Sequence, residues 1–169
     1  MSEETQTPKP KQKLYYDQRS VALRTTQSVY FVQEHDKMSM LALLLADYKE
    51  IQSVIVVKSK KKADALSEFL ISKDFKAIAV HGNHREEHQI EAATGFHLGA
   101  LNILITTDMI FKTLELDNVK LVLSYDLPDL VLDYYDRLAF MKEKGKAISL
   151  VSPEDDRLLS AIEFNMKEE

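Results

Sequence analysis

The sequence has 169 residues, of which 45% are hydrophobic and 29% charged, ordinary proportions for a soluble globular protein with one core. It contains no cysteine, which excludes a disulfide framework, a thiolate nucleophile and a zinc site built on Cys ligands. Its net charge of −5 argues against strong nonspecific nucleic-acid binding, which depends on Lys and Arg at phosphates, but does not exclude local basic patches.

The first 27 residues are predicted to form a flexible N-terminal tail and lead-in, and residues 28–169 the single folded domain. Residues 1–13 are polar, include Pro8 and Pro10, and lack the apolar core of a signal peptide or membrane span. We therefore expect no membrane contact and a cytoplasmic location.

Short β-branched runs then alternate with longer segments whose apolar residues recur at helical spacing, a pattern typical of an α/β sheet. The predicted strands are 29–32, 54–57, 77–80, 102–105, 121–123 and 147–151. The predicted helices are 36–49, 60–73, 84–98, 108–113, 130–139 and 154–165. Most of the strands are continuously apolar, as strands covered on both faces must be, so the sheet is expected to be mostly parallel.

Two helices carry start signals. Ser152, Pro153 and Asp155 form a capping-box-like pattern that predicts where the last helix begins. Ser59 is a plausible N-cap for the helix that follows the second strand.

Polar residues follow four of the predicted strands, and in an open parallel sheet ligands bind at this carboxyl edge. The four segments are Lys58-Ser59-Lys60, His81-Gly82-Asn83, Thr106-Thr107-Asp108 and Ser124-Tyr125-Asp126. Together they are expected to line one rim of the domain.

Two of these segments suit phosphate. The lysines from Lys58 to Lys62 stand at a helix start, where ammonium groups and backbone N–H groups could bind an anion, although they could equally form a solvated helix start. Thr107 and Asp108 open a short helix and could hold a backbone phosphate, or Asp108 could simply cap that helix.

The sequence motifs of zinc peptidases, NTPases and serine hydrolases are incomplete or absent in this chain. His84 and His88 enclose an H-x-x-E-H pattern that resembles the ligands of a zinc peptidase, but no motif places a third ligand and no metal site is predicted. The four glycines never supply a phosphate-binding G-x-x-x-x-G-K-[ST] loop, and no G-x-S-x-G elbow occurs. The chain alone is therefore not expected to be a complete NTPase or hydrolase.

Over about residues 28–165 the chain resembles the C-terminal RecA-like domain of DEAD-box RNA helicases. The interval from His81-Gly82 to Thr107-Asp108 matches the family's H-G-D to A-T-D interval without a gap. Tyr125 to Pro128 reads Y-D-L-P where the family commonly has F-D-L-P, and Asp36-Lys37 follows the first strand. The resemblance implies a three-layer α/β sandwich of the RecA, or P-loop NTPase-like, type.

The resemblance also implies site residues. Lys58, Ser59 and Lys60 stand at the family's RNA-facing motif, His81 and Gly82 at its H-G motif, and Thr107 with Asp108 where the family's threonine contacts a backbone phosphate. Glu115 stands where a shorter family carboxylate meets the nucleotide ribose. ATP and magnesium are implied only when the domain is paired with an N-terminal helicase half.

The chain departs from the family at its RNA-contacting and nucleotide-contacting motifs. Glu86 and Gln89 replace the Gln and Arg of the Q-x-x-R element. The arginine-finger motif H-R-I-G-R-T-G-R is represented by a shorter segment from Asp136 to Lys142, in which Arg137 is the surviving arginine. Arg137 is a weak remnant of the nucleotide contact, or an intradomain salt-bridge partner.

Three functions follow as hypotheses. The first is a catalytically degenerate helicase C-terminal domain that binds RNA or docks a protein. The second is the C-terminal half of an active ATP-dependent RNA helicase, in which Arg137 with Lys142 or Lys144 replaces the fingers. The third is a pure protein-interaction module, which the net acidity favours and which the apolar Phe111, Phe140 and Met141 favour if they are exposed on the former ligand rim. The alternative for these three residues is that the rim has collapsed into internal packing.

Overall fold

The computed structural model describes residues 25–82, 85–116, 119–141 and 145–167. Its strands are β1 (Thr25–Phe31), β2 (Ser53–Val56), β3 (Ala77–Val80), β4 (Ile103–Thr106), β5 (Leu121–Ser124) and β6 (Gly145–Val151). Its α-helices are α1 (Lys37–Ala46), α2 (Lys60–Ser72), α3 (Glu86–His97), α4 (Asp108–Phe111), α5 (Val131–Ala139) and α6 (Asp156–Lys167). Short 3-10 turns at Glu34–Asp36 and Pro153–Asp155 precede α1 and α6.

The strands form one sheet in the order β1-β6-β5-β2-β4-β3, and every neighbouring pair is parallel. The predicted α/β class is therefore confirmed, with a fully parallel sheet. Because all strands run the same way, their carboxyl ends meet at one edge. The segments that follow β2, β3, β4 and β5 all emerge at that edge.

Helices cover both faces of the sheet, so the central strands alternate between two cores. Val54 and Val56 of β2 pack in the core beneath α3 to α6. Ile55 of β2 and Val57, the residue that follows the strand, pack in the core beneath α1 and α2. This two-sided burial explains why the central strands are continuously apolar in sequence.

The first strand differs from its prediction. β1 begins at Thr25, inside the predicted lead-in, and Thr25 pairs with Gly145 of β6. The sequence did not predict this start because the first residues of β1 are Thr, Gln and Ser, which are polar. Polar residues are tolerated here because β1 is an edge strand, and its last residue, Phe31, is 73% exposed. Residues 1–24 of the predicted tail, with Asn83, His84, Lys142 and Lys144, lie outside the described residues.

Both predicted helix caps are confirmed. The Ser59 hydroxyl accepts a hydrogen bond from the Lys62 backbone N–H at 3.1 Å, and Ser59 is the N-cap of α2. Ser152 and Asp155 form the capping box, in which the Ser152 backbone N–H donates to the Asp155 carboxylate at 3.0 Å.

Among the described helices, none is long and apolar enough to cross a membrane.

Asp155 also binds a buried cation, so its charge should make stability depend on pH. Burial by itself would raise the pKa of Asp155, but hydrogen bonds from Ser152 and the Lys37 ammonium 3.3 Å away lower it below its ordinary value of 3.8. A depressed folded-state pKa stabilises the fold above the unfolded pKa, and that stabilisation is lost as pH falls through the folded value.

We therefore expect the urea midpoint of the wild-type protein to fall as the pH is lowered through and below 3.8. The fall should be smaller in Asp155→Asn, which cannot titrate at this position. Asp156→Asn, a change at the exposed neighbouring carboxylate, serves as the control and should keep the wild-type profile. Equal acid sensitivity of the two variants would contradict the assignment.

Candidate functional site

Three adjacent strands bring the predicted phosphate-contacting segments together. Val56 of β2 and Val80 of β3 both pair with Thr106 of β4 in the same register. The residues that follow these strands therefore emerge side by side at the carboxyl edge. We call the surface formed by Lys58, Ser59, Lys60, Gly82 and Thr107 the basic rim.

Two loops of the basic rim touch each other. A Cβ built on Gly82 would lie 3.3 Å from Cε and 3.5 Å from Nζ of Lys60, so the lysine side chain lies against the glycine backbone. Lys58 is exposed, and its ammonium is 3.3 Å from the similarly exposed Asp129 carboxylate. Such a solvated ion pair is weak and can open for a phosphate.

Thr107 completes the basic rim from β4. It is the N-cap of α4 and is half-buried, and within the described chain its hydroxyl makes no capping hydrogen bond. The short helix therefore does not use this hydroxyl as a cap. Ser59 differs, because its hydroxyl caps α2.

His81 lies below this surface. It is 2% exposed, and its Nε2 is 2.9 Å from the Asp64 carboxylate of α2. The imidazole thus ties the end of β3 to α2. Of the predicted H-G pair, Gly82 reaches the surface and the His81 side chain does not.

Asp108 and Arg137 bind each other. The Arg137 Nε and Nη2 atoms each donate to an Asp108 carboxylate oxygen at 2.7 Å, a bidentate pair. Arg137 Nη1 also donates to the Ser124 hydroxyl at 2.9 Å and to the Asp126 carbonyl at 2.8 Å. Arg137 is 1% exposed, so the surviving arginine is an intradomain partner, of Asp108 rather than the adjacent Asp136. Asp108 is the first residue of α4 and not its N-cap.

Asp126 follows β5, the strand on the other side of β2 from β4, and binds the Lys58 segment and Lys62. Its Oδ2 accepts a hydrogen bond from the Lys58 backbone N–H at 2.9 Å, and its Oδ1 lies 3.1 Å from the Lys62 ammonium. Burial alone would lower the pKa of Lys62, but its hydrogen bond to Asp126 and the charges of Asp126 and Glu34 raise it. The Lys37 ammonium, fully buried, lies 3.6 Å from Asp126 Oδ1.

The apolar residues in and near the segment from Asp136 to Met141 pack inward, which favours internal packing over the alternative that they are exposed on the rim. Phe111 and Met141 are each 1% exposed, and the half-buried Phe140 stacks on Phe111 with ring centroids 3.8 Å apart. Aromatic stacking and burial explain why these side chains are apolar. They form part of the core beneath α3 to α6.

Glu115 is exposed and faces a groove of about 730 Å³ between α3 and the segment after α4, which Glu86 and Gln89 also line. The groove thus carries the acidic and neutral replacements of the Q-x-x-R element. Nearby Lys112 donates to Asp133 at 2.7 Å, and this hydrogen bond raises its pKa. Glu115 lines this groove, whereas Arg137 is buried against Asp108 and does not line it.

The described residues hold no group of three or more His, Cys, Asp or Glu side chains that could bind a metal. His84 of the H-x-x-E-H pattern is not among those residues. Sequence reasoning placed Asp126 on the rim and Lys62 among the lysines after the second strand, but it missed Lys37, whose ammonium lies 3.6 Å from Asp126 Oδ1. Lys37 and Asp126 stand in segments that carried the family resemblance, but only the fold shows that they meet.

Residues 36–144 match the model of the helicase conserved C-terminal domain. The chain is 30% identical over 138 residues to the ATP-dependent RNA helicase vasa of Drosophila melanogaster, covering 80% of the chain and 21% of that protein. It is 34% identical over 158 residues to the ATP-dependent RNA helicase SUB2-2 of Vanderwaltozyma polyspora, covering 89% and 36%. The chain thus spans only about a fifth to a third of these relatives.

Solved structures show the same fold. A DEAD box protein from Methanococcus jannaschii superposes with a TM-score of 0.81 at 27% identity, over 87% of this chain and 41% of that one. Dbp5 of S. cerevisiae, solved bound to RNA and ADP BeF3, gives 0.77 at 27% identity, over 84% and 39%.

Because Arg137 binds Asp108 through two hydrogen bonds, its substitution should destabilise the fold. Substitution of an exposed arginine that waits to bind a nucleotide would not have this effect. Arg137→Lys removes the fork and leaves buried partners unsatisfied, so we expect a loss of about 2 to 4 kcal/mol in the free energy of unfolding. Urea denaturation measures it. Arg157→Lys, the same change on the exposed side of α6, should cost less than about 0.5 kcal/mol. Equal stability of the two variants would contradict a structural Arg137.

Proposed function

Because this chain belongs to the helicase conserved C-terminal domain family, we propose that it binds the RNA backbone through its basic rim and supplies no arginine finger for ATP hydrolysis. The observation that carries the proposal is the separation of two sets of charges at one sheet edge. Lys58 and Lys60 are exposed at the basic rim, whereas Arg137 is buried against Asp108.

RNA binding is supported by the chemistry of the basic rim. Two exposed ammonium groups, the N-terminus of the 13-residue helix α2 and the Thr107 hydroxyl are donors suited to phosphate oxygens. Dbp5, a structural neighbour, was solved with RNA bound. A short acidic chain can still bind in this way, since the contacts depend on local charge and not on the net charge of −5.

The degenerate catalytic role is supported by where the finger segment packs. A finger must reach the charge that develops on a transferred phosphoryl group, and it contributes roughly 10³ to 10⁵ in rate. Arg137 has its guanidinium enclosed by Asp108, Ser124 and Asp126, and Phe140 lies on Phe111. Neither side chain is available for that task in this arrangement.

The second candidate is one half of an active ATP-dependent RNA helicase. It is favoured by the relatives, which carry that name and are about three to five times longer than the segment matched here. In that case the partner is an N-terminal RecA-like half, with ATP and magnesium bound between the two, and Glu115 near the ribose. The apolar residues give no support to a pure protein-interaction module, because Phe111 and Met141 are buried. The cytoplasmic location stays a prediction.

For RNA binding, we expect Lys58→Gln combined with Lys60→Gln to weaken the affinity for a fluorescein-labelled oligouridine about tenfold, because two phosphate contacts are lost. Titrations between about 50 and 200 mM salt should show the slope of log affinity against log salt shrinking by about 1.4. The control is Lys49→Gln with Lys76→Gln, two exposed lysines at the opposite, amino end of the strands. Equal binding by the two double variants would refute the basic rim as the RNA site.

For catalysis, we expect ATP turnover to stay at background when this chain is mixed with RNA and the N-terminal half of the Drosophila relative. Phosphate release measures turnover. The positive control is the same N-terminal half mixed with its own C-terminal domain. Robust RNA-stimulated hydrolysis with this chain would reject the degenerate role in favour of the second candidate.

A further inference from the structure

We propose that Asp126 is a positioning residue that sets the spacing between the two phosphate-contacting parts of the basic rim, the Lys58 segment and Thr107. This inference rests on the proposed RNA-binding function and adds to it a residue that does not itself face RNA. Asp126 is 4% exposed and acts through groups bound to its carboxylate and its carbonyl.

The carboxylate controls the Lys58 segment. Asp126 Oδ2 accepts the Lys58 backbone N–H at 2.9 Å, and the Lys62 ammonium lies 3.1 Å from Oδ1 and 3.3 Å from Oδ2. These bonds join the end of β5 to the residues immediately before α2 and to its first turn. The backbone direction at Lys58, and so the place where its ammonium emerges, depends on one buried anion.

The carbonyl controls Thr107 through Arg137. Arg137 Nη1 donates to the Asp126 carbonyl at 2.8 Å, while Nε and Nη2 bind both oxygens of Asp108. Asp108 directly follows Thr107 in the chain. A continuous path of hydrogen bonds therefore runs from Lys58 through Asp126 and Arg137 to the residue beside Thr107.

Lys37 fixes the carboxylate from behind. Its fully buried ammonium lies 3.6 Å from Asp126 Oδ1 and 3.3 Å from Asp155 Oδ2. A buried carboxylate whose two oxygens both have cationic or N–H partners cannot rotate without losing some of these contacts. The geometry of the basic rim is therefore set in advance of binding.

Electrostatics and positioning predict opposite effects of removing this charge. Asp126 lies beside Lys62 of α2 and the Lys58 segment that precedes this helix, and deleting a negative charge near an RNA site should by itself strengthen binding. An amide at position 126 replaces one accepting oxygen with a donor, so it must lose either the Lys58 N–H or the ammonium groups. If Asp126 positions the basic rim, binding should weaken despite the more positive protein.

The test compares Asp126→Asn with Asp129→Asn, using the full chain and a labelled oligouridine over a salt series. Asp129 is an exposed carboxylate 3.3 Å from the Lys58 ammonium, so the two variants change charge equally beside the same lysine. We expect Asp126→Asn to bind about fivefold more weakly, the effect of one typical hydrogen bond lost. Its salt slope should shrink by about 0.7, one phosphate contact. Asp129→Asn should bind as well as wild type or better.

The outcomes are distinguishable. If wild type shows no salt-dependent RNA binding, the proposed function fails and this inference with it. If wild type binds and the two variants behave alike, only the positioning role is overturned. Thermal melting reports whether Asp126→Asn is folded at the assay temperature. If it is not, Asp126→Glu keeps the charge and lengthens the side chain, and wild-type affinity in that folded variant would overturn the proposal.

Discussion

The carboxyl edge of this sheet depends on buried charges that are satisfied within the domain. Arg137 and Lys37 are among the largest fully buried side chains. Lys37 lies among the carboxylates of Glu34, Asp126 and Asp155. Arg137 binds the Asp108 carboxylate, the Ser124 hydroxyl and the Asp126 carbonyl. Removing one partner from such a group leaves an uncompensated charge, which is far more costly than losing a surface ion pair. The loops that follow β2, β4 and β5 are consequently joined to one another and to α5.

The same interactions hold Arg137, the residue that stands at the arginine-finger position, inside the domain. An arginine that binds a carboxylate through both arms of its fork has no donor pair left for a phosphoryl group. The Phe111–Phe140 stack adds aromatic contacts that stabilise the core beneath α3 to α6.

The paired carboxylates at the edge also reconcile an acidic chain with a basic surface. Asp108, Asp126 and Asp155 are bound to Arg137, Lys62 or Lys37, so their charges are neutralised inside the edge. The exposed Lys58 and Lys60 are then the charges that a phosphate would meet first. Net charge describes the whole molecule, whereas binding at a few ångströms depends on which charges are paired.

The sequence by itself determined the alternating strands and helices, the parallel sheet and both helix caps, because buried strands must be continuously apolar and caps require particular side chains at particular places. It also placed Lys58, Gly82 and Thr107 at the carboxyl edge, because each follows a strand of a parallel sheet. It missed the start of β1, whose polar residues pair at a sheet edge with only partial burial. Only the tertiary structure decided that His81 and Arg137 are buried, that Phe111 packs inward, and that Asp126 joins Lys58 to Arg137. Those contacts link residues from 11 to 68 positions apart, and no local pattern encodes which of several nearby charges a side chain will meet.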